Sequence, residues 1–306
     1  MLRAIAADLG RDVSTISREL KRNRDPRGCY RATIAHALAY ERASRPKPAK
    51  LATNLVLRTK VEHDLQRRYS PQQIAGRLRR EFPDDAEMWV STETIYQSLY
   101  VQSRGALRRD LARCLRTGRA VRRPCRQRGQ RRNRIPDMIN ISQRPAEADD
   151  RAVPGHWEGD LILGKRNLTA IGTLVERTTG YTMLLHLPDG YKAEQVRDAL
   201  AAKIQTLPEQ LRASLTWDQG AEMRDWKTVS VDADIEIYFC DPHAPWQRAT
   251  NENTNGLLRQ YFPKGTDLLI HTEADLDAVA DELNDRPRKR LRFAKPIEEI
   301  GPLLLR

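Results

Sequence analysis

The sequence predicts a multidomain chain in which an α-helical first half precedes an α/β domain built on a mixed sheet. Two observations carry this expectation. The first is charge. Residues 1–134 hold 32 Lys and Arg against 13 Asp and Glu, a net of +19, and residues 135–306 hold 21 against 28, a net of −7, which together give the +12 of the whole chain. The second is period: apolar residues recur at helical spacing in the first half and alternate along the chain from His156.

At 306 residues and 40% hydrophobic content the chain is long enough for two or three domains with real cores, which excludes wholesale disorder. A basic half joined to an acidic one indicates a nucleic-acid grip feeding a separate working domain. Cys29, Cys114, Cys125 and Cys240 form no C-x-x-C pair and have no histidines at zinc-ligand spacing, so they read as reduced thiols. No apolar run approaches the ~18 residues that span a membrane. The N-terminus reaches Asp8 and Arg11 without a signal-peptide core, so a cytoplasmic protein is expected.

The expected domains are a helix-turn-helix with a following helix (1–48), a second region of that type (49–115), an arginine-rich linker (116–150), and an α/β domain with a helical tail (151–306). In the first, "IAADLGRDVSTISRELKRN" (Ile5–Asn23) reads as helix, tight turn, helix, with Gly10 turning and Asp12 or Ser14 capping the second helix. Val13, Ile16 and Leu20 fall on one face of that helix, and Ser14, Thr15, Arg18 and Lys21 on the other. A small, polar, basic face suits a recognition helix entering a major groove. The alternative is a helical hairpin whose charged side is merely solvated. Such motifs normally lean on a preceding helix, so a truncated or misassigned start, or an incomplete core, is expected here.

In the second region, "SPQQIAGRLRREF" (Ser70–Phe82) opens with a Ser cap and Pro at the first helical position, and "VSTETIYQSLY" (Val90–Tyr100) packs Ile95, Leu99 and Tyr100. Residues Arg116–Arg134 then hold nine arginines and no acid, interspersed with Pro and Gly. Self-repulsion makes this an arm or linker, with Arg122, Arg123, Arg131 and Arg132 as candidate phosphate contacts.

The acidic half reads strand, strand, strand, helix, strand, helix, strand, helix, a mixed sheet with helices on its faces. In "HWEGDLILG", Trp157, Gly159, Leu161 and Leu163 point one way and Glu158, Asp160 and Ile162 the other. Asp160 lies within this first strand and Asp218 at the end of the fourth, "SLTWDQG". A lone carboxylate in an apolar strand is costly to bury, so both want a cation. In "NENTNGLLRQYFPKGTDL", a helix beginning near Asn251, the residues Arg248, Asn251, Glu252, Asn255 and Arg259 share a polar arc, opposite Leu257, Leu258 and Tyr261. That arrangement brings Glu252 to the rim of the sheet, with Asn251 and Asn255 as uncharged donors to DNA and Arg259 and Lys264 as phosphate contacts. His156 and His243 read as structural or DNA-facing.

The set "GHWEGDLI", "TLVERTTGY", "LTWDQGAEM", "YFCDPHAPWQRATNENTNGLLRQYFPKGTDL" and "LNDRPRKRL" closely resembles the insertion-sequence-30 family of bacterial DDE transposases, as do "STISRELKRN" and "STETIYQSLY". The resemblance covers nearly the whole chain. It implies a ribonuclease-H-like, integrase-type catalytic domain whose three carboxylates hold two divalent cations, usually Mg²⁺ with Mn²⁺ as a substitute. By motif match these are Asp160, Asp218 and Glu252, with the family's 33 residues between the second and third. It further implies that the helix-turn-helix units bind the element's terminal inverted repeats. A dimer or larger assembly on those ends and on target DNA, associated with the nucleoid, is expected. A DNA-binding regulator or defective copy that performs no chemistry, and a general nuclease of the same fold, are the alternatives.

Overall fold

Asp12 and Gly10 define the first turn of the chain. Helix α1 (Leu2–Asp8) stops at Gly10, whose φ of 59° is a left-handed conformation that glycine adopts freely. Asp12 then caps α2 (Val13–Arg22), accepting from the Ser14 amide at 2.7 Å, so the aspartate serves of the two predicted caps. In this computed structural model, residues 2–25, 27–43, 50–101, 135, 137–242 and 244–305 are described. They form two units, Met1–Thr53 and Asn54–Arg306.

The first unit is completed by α3 (Ala32–Ala43) and α4 (Lys50–Thr53). Its apolar interior is small: Ala6, Ile16, Ala35 and Leu51 are buried. Val13, expected to share the buried face of Ile16, is exposed, as are Leu2, Ile5 and Leu9.

The second unit begins with α5 (Leu55–Gln66), α6 (Pro71–Glu81) and α7 (Thr92–Val101). Ser70 and Gln73 complete a reciprocal capping box ahead of Pro71, and Ser91 Oγ accepts from the Thr94 amide at 3.0 Å. Leu57, Val61, Leu65, Ile74, Leu78 and Ile95 bury their side chains among these helices. The Tyr69 hydroxyl donates to the Asp285 carbonyl at 2.7 Å, and Arg77 Nη2 lies 2.6 Å from Glu298, so this helical region is held against the C-terminal segment of the same unit.

The α/β part follows in the predicted order. After α8 (Ala146–Asp150) come β1 (His156–Leu163), β2 (Ala170–Glu176), β3 (Thr182–Leu185), α9 (Ala193–Gln205), β4 (Ser214–Trp217), α10 (Trp226–Ala233), β5 (Glu236–Phe239) and α11 (Ala249–Leu258). Helices α12 (Glu273–Asn284) and α13 (Pro296–Leu304) close the chain. The five strands lie in the order β3-β2-β1-β4-β5, antiparallel across β3-β2-β1 and parallel across β1-β4-β5. The mixed sheet is thus confirmed.

Strand alternation sorts side chains into two cores. Trp157, Leu161, Leu174, Leu215, Trp217 and Ile237 pack on one face with Val196, Leu200 and Ile204 of α9, Trp226 and Val229 of α10, and Ile300 of α13. Ile162, Ile171 and Leu184 pack on the other with Leu257 and Leu258 of α11 and Leu276, Ala280 and Leu283 of α12. His156 is buried with Nδ1 2.7 Å from Ser214 Oγ, which makes it structural. No helix among the described residues is long and apolar enough to cross a membrane.

Candidate active site

The central strand β1 and its parallel neighbour β4 place the two aspartates. His156 pairs with Ser214, Trp157 with Leu215 and Glu158 with Thr216. Continuing that register by two residues sets Asp160 beside Asp218, just past the end of β4. Gly159 makes the close approach possible, because a Cβ there would fall inside the Trp217 ring.

A single guanidinium spans the pair. Arg248, at the end of the 3₁₀ turn Pro245–Arg248 that leads into α11, sets Nη1 3.0 Å from Asp160 Oδ1 and Nη2 3.2 Å from Asp218 Oδ2. Its Nη1 also donates to the Gly159 carbonyl at 3.1 Å. Asn255 Nδ2 donates to the second oxygen of Asp160 at 2.9 Å, and the Gly220 amide donates to Asp218 Oδ1 at 3.1 Å. Burial pushes the Asp160 carboxyl up, Arg248 pulls it back, and the charge of Asp218 adds to the rise. Burial works against the charge of Arg248, but the two aspartates more than offset it.

Glu222 stands near this pair, beside Trp217, and sequence reasoning overlooked it. Its carboxylate accepts from the Trp217 indole at 3.2 Å, and burial followed by the charge of Asp218 pushes its carboxyl up. Glu158 was overlooked too. Fully buried, it pairs with Arg177 at 2.6 Å and accepts from the Asn251 amide at 2.9 Å. A signal for Glu158 existed: it lies two residues before Asp160 on the same strand face, and the cost of a lone buried carboxylate applies to it equally. No comparable signal marked Glu222.

Glu252 stands in the first turn of α11, four residues after Arg248 and three before Asn255, both of which touch Asp160. Its own side chain is exposed. Among the described residues no three His, Cys, Asp or Glu side chains converge as a metal-holding group, so Asp160 and Asp218 are brought together and Glu252 is not gathered with them.

Of the residues expected to touch DNA, Ser14, Thr15, Arg18 and Lys21 are exposed on α2, and Lys264 is exposed after α11. Asn251 departs from expectation. It is fully buried, donating to the Glu158 carbonyl at 2.9 Å and accepting from the Thr173 hydroxyl at 2.9 Å, which leaves it no surface for DNA. The polar arc of α11 docks on a polar part of the sheet rather than facing solvent throughout. Arg259 is half-buried, with its two terminal nitrogens on the Phe262 and Leu163 carbonyls at 3.3 and 3.1 Å, so it braces the end of α11. Arg122, Arg123, Arg131, Arg132 and His243 lie outside the described residues.

The arrangement can hold a cation between two hard oxygen donors, as its own arginine demonstrates. Comparisons with known proteins identify the family. The family described as "Integrase core domain" matches residues 150–245, and the family described as "Helix-turn-helix domain" matches residues 2–23. The transposase for insertion sequence element IS1086 of Cupriavidus metallidurans is 48% identical over 304 residues, covering 99% of this chain and 89% of that protein. Transposase InsI for element IS30C of Escherichia coli K12 is 45% identical over 302 residues, 98% of this chain and 78% of that one. The transposase for element IS4351 of Bacteroides fragilis is 34% identical over 305 residues, 99% and 90% respectively. Among solved structures, a simian T-cell lymphotropic virus intasome in complex with PP2A regulatory subunit B56 gamma matches 43% of this chain and 49% of its own at 20% identity, with a TM-score of 0.35, too remote to add to the case. The near full-length relatives settle the matter: the chain belongs to the insertion-sequence-30 family of transposases, enzymes that cleave DNA and transfer its strands.

Proposed function

We propose that the chain binds the terminal inverted repeats of its own element through its helix-turn-helix region and cuts and rejoins those ends through Asp160, Asp218 and Glu252. The observation that carries this reading is the seating of Asp160 and Asp218 side by side, bridged by the Arg248 guanidinium, with Glu252 in the first turn of the adjoining helix. The donor set fits Mg²⁺, a hard cation that takes carboxylate oxygens and keeps water in its shell. When bound, a pair of such ions supplies the charge stabilisation and nucleophile activation for in-line displacement at phosphorus.

The residues of the chain do the positioning. Asp160, within β1, and Asp218, just past the end of β4, would hold the cations. Asn255 fixes the rotamer of Asp160 through its 2.9 Å hydrogen bond, and Glu252, exposed on α11, would complete the set by turning inward. Attack by water and then by a DNA 3′-hydroxyl needs no covalent enzyme intermediate, so Ser, Tyr and Cys have no reacting role. The arginines of 116–134 add sequence-independent phosphate contacts. Synapsis of two ends requires a dimer or larger assembly, working at the bacterial nucleoid in the cytoplasm.

Incubating the purified chain with labelled terminal-repeat DNA and Mg²⁺ tests this. Metal-dependent 3′-end nicking and joining that vanishes in Asp160→Asn and in Glu252→Gln is expected. DNA that is retarded but never cut overturns the catalytic part and identifies a regulator, and cleavage without regard to the terminal sequence identifies a general nuclease.

A further inference from the structure

We infer that Arg248 is a built-in counter-ion, which competes with divalent cations for Asp160 and Asp218 and is drawn off them by a DNA phosphate. The inference rests on the proposed roles of those two aspartates. Two observations lead to it. The guanidinium fork is divided between the two carboxylates, at 3.0 and 3.2 Å, so it sits where a cation shared by them would sit. In addition, Arg248 ends a short 3₁₀ turn that lies outside the five strands, so its side chain, 13% exposed, can withdraw without breaking strand pairing.

Physical chemistry then links metal and DNA. An arginine is charged at every physiological pH, and while its nitrogens occupy Asp160 Oδ1 and Asp218 Oδ2 those oxygens are not free to take a metal ion. Withdrawing the guanidinium strands its charge unless an anion receives it. Its planar donor fork matches a phosphodiester as well as a carboxylate, and the strand being cut brings a phosphodiester to this rim. Each of the two ligands therefore strengthens binding of the other. Loading of the site is held back in the free protein and released on the substrate, which protects the cell from indiscriminate cleavage.

The test measures Mn²⁺ binding by electron paramagnetic resonance on the full chain, with and without a terminal-repeat duplex, counting only Mn²⁺ bound beyond what the duplex alone takes. Arg248→Gln, which keeps a hydrogen-bond donor and loses the charge, is expected to bind Mn²⁺ roughly tenfold more tightly than wild type without DNA. The duplex is expected to tighten Mn²⁺ binding about fivefold in wild type and to leave Arg248→Gln unchanged. Equal affinity of wild type and Arg248→Gln in the absence of DNA overturns the inference. Should Arg248→Gln fail to fold by circular dichroism, wild type alone decides, because an affinity indifferent to the duplex overturns it as well. Asp160→Asn separates the two levels. If it abolishes Mn²⁺ binding while Arg248→Gln changes nothing, only the arginine's role falls, whereas Mn²⁺ binding unaltered by Asp160→Asn removes the site reading itself.

Discussion

Asn251 grips Glu158 twice: its backbone amide donates to Glu158 Oε2 and its side-chain amide to the Glu158 carbonyl, both at 2.9 Å. This clamp docks the first turn of α11 on the middle of β1 and so sets where Glu252 stands. Asn251→Ala removes the side-chain half and leaves buried polar groups unpaired. A loss of about 1–3 kcal/mol in unfolding free energy is expected, measured by denaturant titration, together with reduced strand cleavage. Binding of DNA by the helix-turn-helix unit is expected to be unaffected.

Glu158 carries more. With Arg177 2.6 Å away and both side chains buried, Glu158→Ala strands a guanidinium in the interior. A cost of roughly 3–5 kcal/mol is expected, enough to deplete the folded protein at 37 °C. A thermal melt close to that of wild type would show that Arg177 finds another partner.

Gly159 is a steric requirement of the site. Any Cβ at this position collides with the Trp217 ring, so Gly159→Ala is expected to cost at least about 1–3 kcal/mol. Trp217→Phe in the same chain, by shrinking the ring, is expected to restore part of the loss. A double variant no more stable than Gly159→Ala would place the strain elsewhere.

Glu222 makes a pH-dependent prediction. Its folded-state pKa is raised by burial and by Asp218, so the ionised form is disfavoured in the folded protein. Ionised Glu222 therefore costs stability above the folded pKa, and the cost disappears as pH falls below the unfolded value of 4.5. Glu222→Gln is expected to be more stable than wild type by about 1 kcal/mol at pH 7, without divalent ions, with the difference closing toward pH 4. A variant less stable at pH 7 would mean that the Trp217 contact outweighs the repulsion.

The strands were legible because β1 separates two different cores. Trp157 and Leu161 enter one, and Ile162 enters the other, so alternation is strict and the carboxylates among the apolar residues stand out. That Asp160 and Asp218 each want a cation was legible for the same reason, whereas the parallel neighbouring of β1 and β4 that sets them side by side was not. The inward turn of Asn251 was not, because a polar helix face ordinarily meets water, and only the folded sheet shows that its own face is polar there, with Glu158 and Thr173. Glu222 was hidden by a loop whose path decides its position. In the first unit, helical spacing assigned Val13 to the same face as Ile16, yet the small interior covers only Ile16.

Two classes of DNA contact are expected to differ in their salt response. Arg18→Ala and Lys21→Ala on the exposed face of α2 are expected to weaken binding to terminal repeats more than to unrelated DNA. Replacing Arg122, Arg123, Arg131 and Arg132 by Ala is expected to weaken binding to all DNA alike and to lower the slope of affinity against salt by about one unit per lost phosphate contact. An unchanged slope would mean that these arginines do not touch phosphate.

The most direct measurement is anomalous diffraction at the manganese edge from crystals of the chain with terminal-repeat DNA and Mn²⁺. Two manganese peaks are expected, both held by carboxylates of Asp160, Asp218 and Glu252, with Arg248 moved onto a phosphate. Manganese held by Asp160, Asp218 and Glu222, with Glu252 still in solvent, would contradict the assignment of the third carboxylate.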